Sequence, residues 1–265
     1  MNESQFFAAV EKCDVKRVGK YLEEDNTLVH ARSPQGKTTL MIAVEKGSFD
    51  LFSLLMENGA DINAAMYESN KTGTVLERTV DFGEEDMAAL LIENGCNINH
   101  PETRQCYPLL TAAKAGLFDI VTKLLDAGGN VNTANADGTT VLMNLAVFGP
   151  RHRINPEPPL LIKQLSRVIE AGADVNTADG LNNSALTRAV FSGNRETVRF
   201  LIENGADPNH AAAMMPLSDL VRDAACLEIL IAGGLNKSVY LDGIVAALLN
   251  VTFNSAKSMV KQLKN

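Results

Sequence analysis

Apolar residues recur along this chain at three- and four-residue steps, in short runs that come in two kinds. LFSLLMENG (51–59), MAALLIENG (87–95), IVTKLLDAG (120–128), LSRVIEAG (165–172) and VRFLIENG (198–205) each set Leu, Ile or Val on one face and close on glycine. That spacing predicts a helix with one buried face, ended by the residue best suited to a left-handed stop. Runs of the second kind, TTLMIAVEKG (38–47) and YPLLTAAKAG (107–116), are helical patterns carrying small Ala, which lets neighbouring units approach closely. The polar stretches between them hold a recurring motif: GADIN (59–63), GCNIN (95–99), GGNVN (128–132), GADVN (172–176), GADPN (205–209) and a worn GGLNK (233–237).

Successive motifs start 36, 33, 44, 33 and 28 residues apart. Phase and motif agree over five copies, and the chain resembles the ankyrin repeat family, whose pattern runs G-x-T-P-L-H-x-A-A-x-x-G, a second helix, then G-A-D-x-N. The resemblance implies an all-α solenoid of about seven to eight helix pairs with projecting hairpin loops, one domain over 1–265. Within it, 1–35 reads as a divergent first unit, 36–209 as five repeats with an insertion at 150–160, 210–237 as a degenerate repeat and 238–265 as C-terminal capping helices. The chain departs from the family at the His of T-P-L-H, where it has Met41, Glu77, Leu110, Met143, Thr187 and Ser218. That His supports the turn in the family, so softer units are expected. The sixth unit, at 28 residues, is expected to have short helices and a short hairpin.

Composition narrows the function classes. The chain is 46% hydrophobic and 21% charged, enough apolar material for a core. A net charge of −8 and a pI near 5.1 argue against nucleic-acid binding through a basic surface. No apolar run reaches bilayer-spanning length, and the start, MNESQFFAAVEKCD, lacks a basic region of signal-peptide type. Cys13, Cys96, Cys106 and Cys226 lie far apart, which fits reduced thiols and a cytoplasmic location, or delivery into a host cell for an effector. Cys96 and Cys106 flank one hairpin, but small buried residues account for them equally. His30, His100, His152 and His210 are too scattered for a zinc site, and no phosphate loop or nucleophile elbow occurs. No metal and no cofactor are expected. Glu84, Glu85 and Asp86 read as the first turn of a second helix, where negative charge is favoured.

The resemblance also implies where a partner is met. The two variable residues of A-A-x-x-G point from each first helix into the concave face: Glu45 and Lys46, Asp81 and Phe82, Lys114 and Ala115, Val147 and Phe148, Phe191 and Ser192. Phe82, Phe148 and Phe191 are expected there as exposed aromatic anchors, with Glu45, Lys46, Asp81 and Lys114 as charged contacts. About three extra residues around Tyr67–Lys71 lengthen a hairpin tip beside that face. In the fourth unit, Pro150–Leu160 is surplus; its prolines at 150, 156, 158 and 159 favour extended structure, and Arg151, His152 and Arg153 form a basic island. A segment of this kind is expected to be dispensable for folding.

The implied function is a non-catalytic module that recognises another protein through its concave groove, as an inhibitor, immunity protein or bacterial effector, and as a monomer without membrane or nucleic-acid partners. Two other readings stand beside it. One is a self-associating scaffold using Ile244, Val245, Leu248 and Leu249; the other is an enzyme using His152 and the inserted loop.

Overall fold

The computed structural model describes residues 3–68, 71–99, 107–150, 152–214 and 223–236. The chain divides into two compact units, 1–130 and 131–265. The expected capping helices at 238–265, and with them Ile244, Val245, Leu248 and Leu249, lie outside the described residues, as do His100, Cys106 and Ser218.

In the first unit, helices alternate between two roles. First helices α1 (Glu3–Glu11), α3 (Thr39–Glu45), α5 (Val75–Phe82) and α7 (Pro108–Ala115) pack on one another in order. Second helices α2 (Val15–Glu24), α4 (Phe49–Glu57), α6 (Glu85–Glu93) and α8 (Phe118–Asp126) form a parallel layer in the same order. The second unit repeats the scheme. Here α9 (Val141–Ala146), α11 (Ala185–Ser192) and α13 (Pro208–Ala213) are first helices, and α10 (Pro158–Glu170), α12 (Arg195–Glu203) and α14 (Ala224–Ala232) are second helices. The fold is therefore the mostly helical ankyrin-repeat class that the motif spacing implied.

The core explains the periodicity. Each first helix buries a Leu in its opening turn: Leu40, Leu76, Leu109, Leu142 and Leu186 are all at most 4% exposed. One turn later a small or compact residue is sealed in, as at Ala43, Thr79, Ala112 and Ala189. Second helices add the matching stripe, with Leu51, Phe52 and Leu55 in α4 and Met87, Ala88 and Leu91 in α6. A single helix of nine residues is too short to be stable in water, so stacking supplies the stability.

Missing family histidines do not leave these turns unsupported. Thr38, Thr74, Thr140 and Ser184 cap α3, α5, α9 and α11, each accepting a hydrogen bond from the backbone three residues on. Where His is replaced by Glu77, the carboxylate accepts from the Thr74 N–H at 2.7 Å and completes a reciprocal capping box. Thr187 does the same for Ser184. Met41 and Met143 keep only one half of that exchange through their side of the turn.

The final Asn of each motif joins repeat to repeat. Asn63 Oδ1 accepts from the Asn97 N–H (2.6 Å) and Asn99 Oδ1 from the Asn130 N–H (3.0 Å). In the second unit, Asn176 Oδ1 accepts from the Asp207 N–H (2.9 Å) while its Nδ2 donates to the Gly205 carbonyl (2.9 Å). Asn209 Oδ1 accepts from the Asn236 N–H (2.7 Å). A side chain that donates and accepts at once satisfies backbone groups of loops that have no strand partner.

Hairpins between repeats are mostly single bridges, Arg32 with Thr38, Ala134 with Thr140 and Ala178 with Ser184, six residues apart. The hairpin β1 (Ala65–Glu68) and β2 (Lys71–Thr74) closes with Ala65 opposite Thr74, nine residues apart, so it carries the three extra residues expected around Tyr67–Lys71. The sixth unit has no such loop between its motif and its helix. Asp207, within GADPN, is already the N-cap of α13, with Pro208 in its first turn.

Residues 150–160 depart from the extended segment expected of their prolines. Pro158 and Pro159 occupy the first turn of α10, where a missing N–H costs nothing. Helix α10 is 13 residues long against nine for α4, α6, α8 and α12, one extra turn that buries Leu161 completely. Upstream, the usual tight stop is gone. Gly47, Gly83, Gly116 and Gly193 end first helices with φ of 61–75°, and Cys13 does so at 52°, which marks the N-terminal unit as a genuine repeat. Gly149 has no positive φ; it is needed for closeness instead. A Cβ there would sit 2.8 Å from Asn194 Cβ and 3.0 Å from Ser192 Oγ. The start of the insertion thus packs on the next repeat and is part of the fold, contrary to the dispensability expected of it.

Candidate partner-binding surface

The C-terminal ends of the first helices present the residues that the A-A-x-x-G pattern singled out. On α5, Asp81 and Phe82 are exposed, Phe82 to 49%. On α7, Lys114 and Ala115 are exposed, and on α11 Phe191 is 37% exposed. Each sits where the helix runs out into solvent, after its buried Ala or Thr has made contact with the neighbour.

Phe148 is different: it is fully buried and cannot serve as an exposed anchor. The insertion is the cause. Without a left-handed stop at Gly149, the chain folds back, and the His152 ring meets Phe148 edge-on at 5.0 Å. His152 Nδ1 lies 3.1 Å from both the N–H and the carbonyl of Ile154, and Asn194 Nδ2 donates to the Phe148 carbonyl at 3.1 Å. The same closeness buries Ser192, whose hydroxyl donates to the Ala189 carbonyl at 2.9 Å, and half-buries Val147. Of the basic island, His152 is turned inward, Arg153 is exposed, and Arg151 lies outside the described residues.

Two of the expected charged contacts are engaged within the first unit. Glu45 meets Lys37 Nζ at 2.6 Å and the Arg78 guanidinium at 3.4 Å, tying the hairpin base to α5. Lys46 pairs with Glu11 at 2.8 Å; that hydrogen bond, with the attraction of the same carboxylate, raises the Lys46 pKa above its ordinary value. Tyr67 is placed on β1 by its backbone; its side chain lies outside what is described.

In the second unit, Asp179 and Arg188 organise the hairpin beside Phe191. Arg188 donates to Asp179 Oδ2 (2.8 Å) and to Thr139 Oγ1 (3.1 Å). Burial pushes the Asp179 carboxyl up. The N–H groups of Asn183 and Leu181 and the guanidinium of Arg188 outweigh it and hold the pKa below its ordinary value. This rigid tip projects Leu181, 82% exposed and unforeseen from the sequence. The signal was present: DGLNN has Leu where the corresponding tips SPQGK and NADGT are polar. Met214, 36% exposed, follows α13, and its sulfur accepts from Asn182 Nδ2 at 3.1 Å.

Chemistry finds no foothold among the described residues. No group of three or more His, Cys, Asp or Glu side chains converges to hold a metal. Cys96 is a buried free thiol whose pKa is pushed up to about 11 by that burial. Glu85 and Asp86 sit in the first turn of α6, as read from the sequence. Among the described residues, no helix is long and apolar enough to cross a membrane.

Stacked helix pairs with projecting hairpins, joined by asparagine bridges, define a repeat scaffold. The chain belongs to the ankyrin repeat family: the family model for ankyrin repeats (3 copies) matches residues 6–102 and 109–212. It is similar to the Ankyrin repeat and SAM domain-containing protein 6 of Rattus norvegicus, at 39% identity over 98 residues, 36% of this chain and 10% of that protein. It is also similar to the Ankyrin repeat and KH domain-containing protein mask-1 of Caenorhabditis elegans, at 30% identity over 197 residues, 74% of this chain and 7% of that one. The chain thus spans a tenth or less of these relatives' length. Among solved structures, an ankyrin repeat domain from Acinetobacter baumannii AYE aligns with a TM-score of 0.65 and 26% identity, over 77% of this chain and 100% of that domain. Ankyrin repeats are protein–protein interaction modules, and the fold is generally a non-catalytic scaffold.

Proposed function

We propose that this chain binds a protein partner through the face formed by its first-helix ends and hairpin tips, and that binding itself is its activity. The observation that carries the reading is the placement of exposed large apolar side chains. Phe82, Phe191, Leu181 and Met214 lie on first helices or hairpin tips, against Phe49 and Leu160 on second helices. Aromatic residues left in water are enriched at the centres of interfaces. Asp81, Lys114 and Arg153, all exposed, supply a polar rim. Inhibition, sequestration or bridging would follow from what the partner does, and a role as immunity protein or effector would be one such case. A cytoplasmic location fits the free, buried Cys96.

The test compares the parent with a Phe82→Ala, Leu181→Ala, Phe191→Ala variant as baits in extract of the cells that make the protein. A protein retained by the parent and lost by the variant, with both melting alike, is expected. Equal retention by both baits would place the binding surface elsewhere.

A further inference from the structure

The insertion does more than lengthen a helix. Between it and the start of α12 lies a cleft of about 470 Å³. That volume is within the usual range for small-ligand sites and ample for one amino-acid side chain. Pro150, Pro156 and Pro158 contribute a rigid apolar wall without N–H donors. The opposite wall is fixed by Asn194, which donates to the Phe148 carbonyl and accepts from the Thr197 N–H at 3.1 Å each.

Charge selects what fits. Glu157, Glu196 and Asp223 line the cleft with Arg195 as the cation among the described residues. Arg195 is committed, since its Nε and terminal nitrogen both lie 3.1 Å from Asp223 Oδ1. Glu157, at the mouth of α10, makes no capping hydrogen bond with its side chain, and Glu196 sits in the first turn of α12. Neither is ion-paired among the described residues, so two carboxylates from different elements face a proline-walled space with no cation between them.

We propose that this cleft is a subsite for an arginine side chain of the protein partner. Its alkyl stem would lie along the prolines and its guanidinium between Glu157 and Glu196. The proposal rests on the protein-binding reading above and adds the chemistry of the segment recognised: a basic stretch docking on a protein of net charge −8.

The probe is Nα-acetyl-arginine methylamide, titrated into the ¹⁵N-labelled full chain and followed by amide shifts, with the citrulline analogue as neutral isostere. Saturable shifts at Gly193, Glu196 and Asn155, in the millimolar range, are expected with arginine and absent with citrulline. Glu157→Gln and Glu196→Gln, which keep shape and fold, should each weaken binding by up to about fivefold, the size of an exposed ion pair. Absence of saturable shifts, equal shifts with citrulline, or indifference to both substitutions would overturn the proposal. Because the probe needs no partner, the two readings fail separately. Arginine binding without any bait-specific partner would overturn the protein-binding reading alone; partner capture without arginine binding would overturn the subsite alone.

Discussion

Phe148→Ala tests whether the insertion is part of the fold. The side chain is fully buried, edge-on against His152, and its carbonyl is held by Asn194. Truncating a buried Phe costs about 3–5 kcal/mol, from lost transfer energy and the cavity left behind. For a domain of 150–250 residues, 1 kcal/mol moves Tm by about 2–4 °C, so a fall of roughly 6–20 °C is expected. Phe191 is the control: with 37% of its surface in water, Phe191→Ala should cost about 1 kcal/mol and a few degrees. The assay is thermal and urea unfolding followed by far-ultraviolet circular dichroism, with repeat arrays read at each resolved transition. A Phe148→Ala protein that melts within a degree or two of the parent, or above Phe191→Ala, would refute the packing account. Phe148 would then be the surface residue that the repeat pattern alone suggests.

Three further outcomes follow from particular contacts. Asn176→Ala removes both hydrogen bonds from Asn176 to the next repeat and should lower stability by about 1–3 kcal/mol in urea titration, whereas an unchanged midpoint would mean the bridge is not worth its geometry. Asp179 has a depressed folded pKa, so its stabilisation is present above the unfolded-chain value near 4 and is lost as pH falls through the folded value. Asp179→Asn should therefore flatten the acid limb of a stability–pH profile, and a profile identical to the parent's would contradict that assignment. Cys96, with its thiol raised to about 11 and buried, should resist alkylation at pH 8 in the native protein and react once urea is added, read by mass spectrometry; native labelling as fast as in urea would show that the site opens.

The repeat architecture was legible because stacking needs the same residue at the same place each time. The Leu of each first helix, the glycine stops and the motif Asn recur, and the structure gives each a contact. Even the three-residue hairpin extension at β1–β2 could be counted from spacing. What spacing did not reveal was a local substitution of one backbone solution for another. Gly149 looks like Gly116 in sequence, yet its role changes from a left-handed stop to a point of close approach, and Phe148 is buried in consequence. Proline signalled extended chain at 158 and 159, whereas the first turn of a helix accommodates it equally well. Glu45 and Lys46 faced the expected direction, but their long side chains found partners within the array. Leu181 was overlooked because the reading followed helix positions and left hairpin tips aside.

The central claim is that a partner is met by first-helix ends and hairpin tips. Amide hydrogen exchange of the protein, free and bound to the partner recovered by the parent bait, measures it directly. Slowed exchange on binding is predicted around Val80–Gly83 in the first unit, and around Asp179–Asn183 and Val190–Gly193 in the second. Slowing confined to the second helices α4, α6, α8 and α12, with those segments unchanged, would contradict the account.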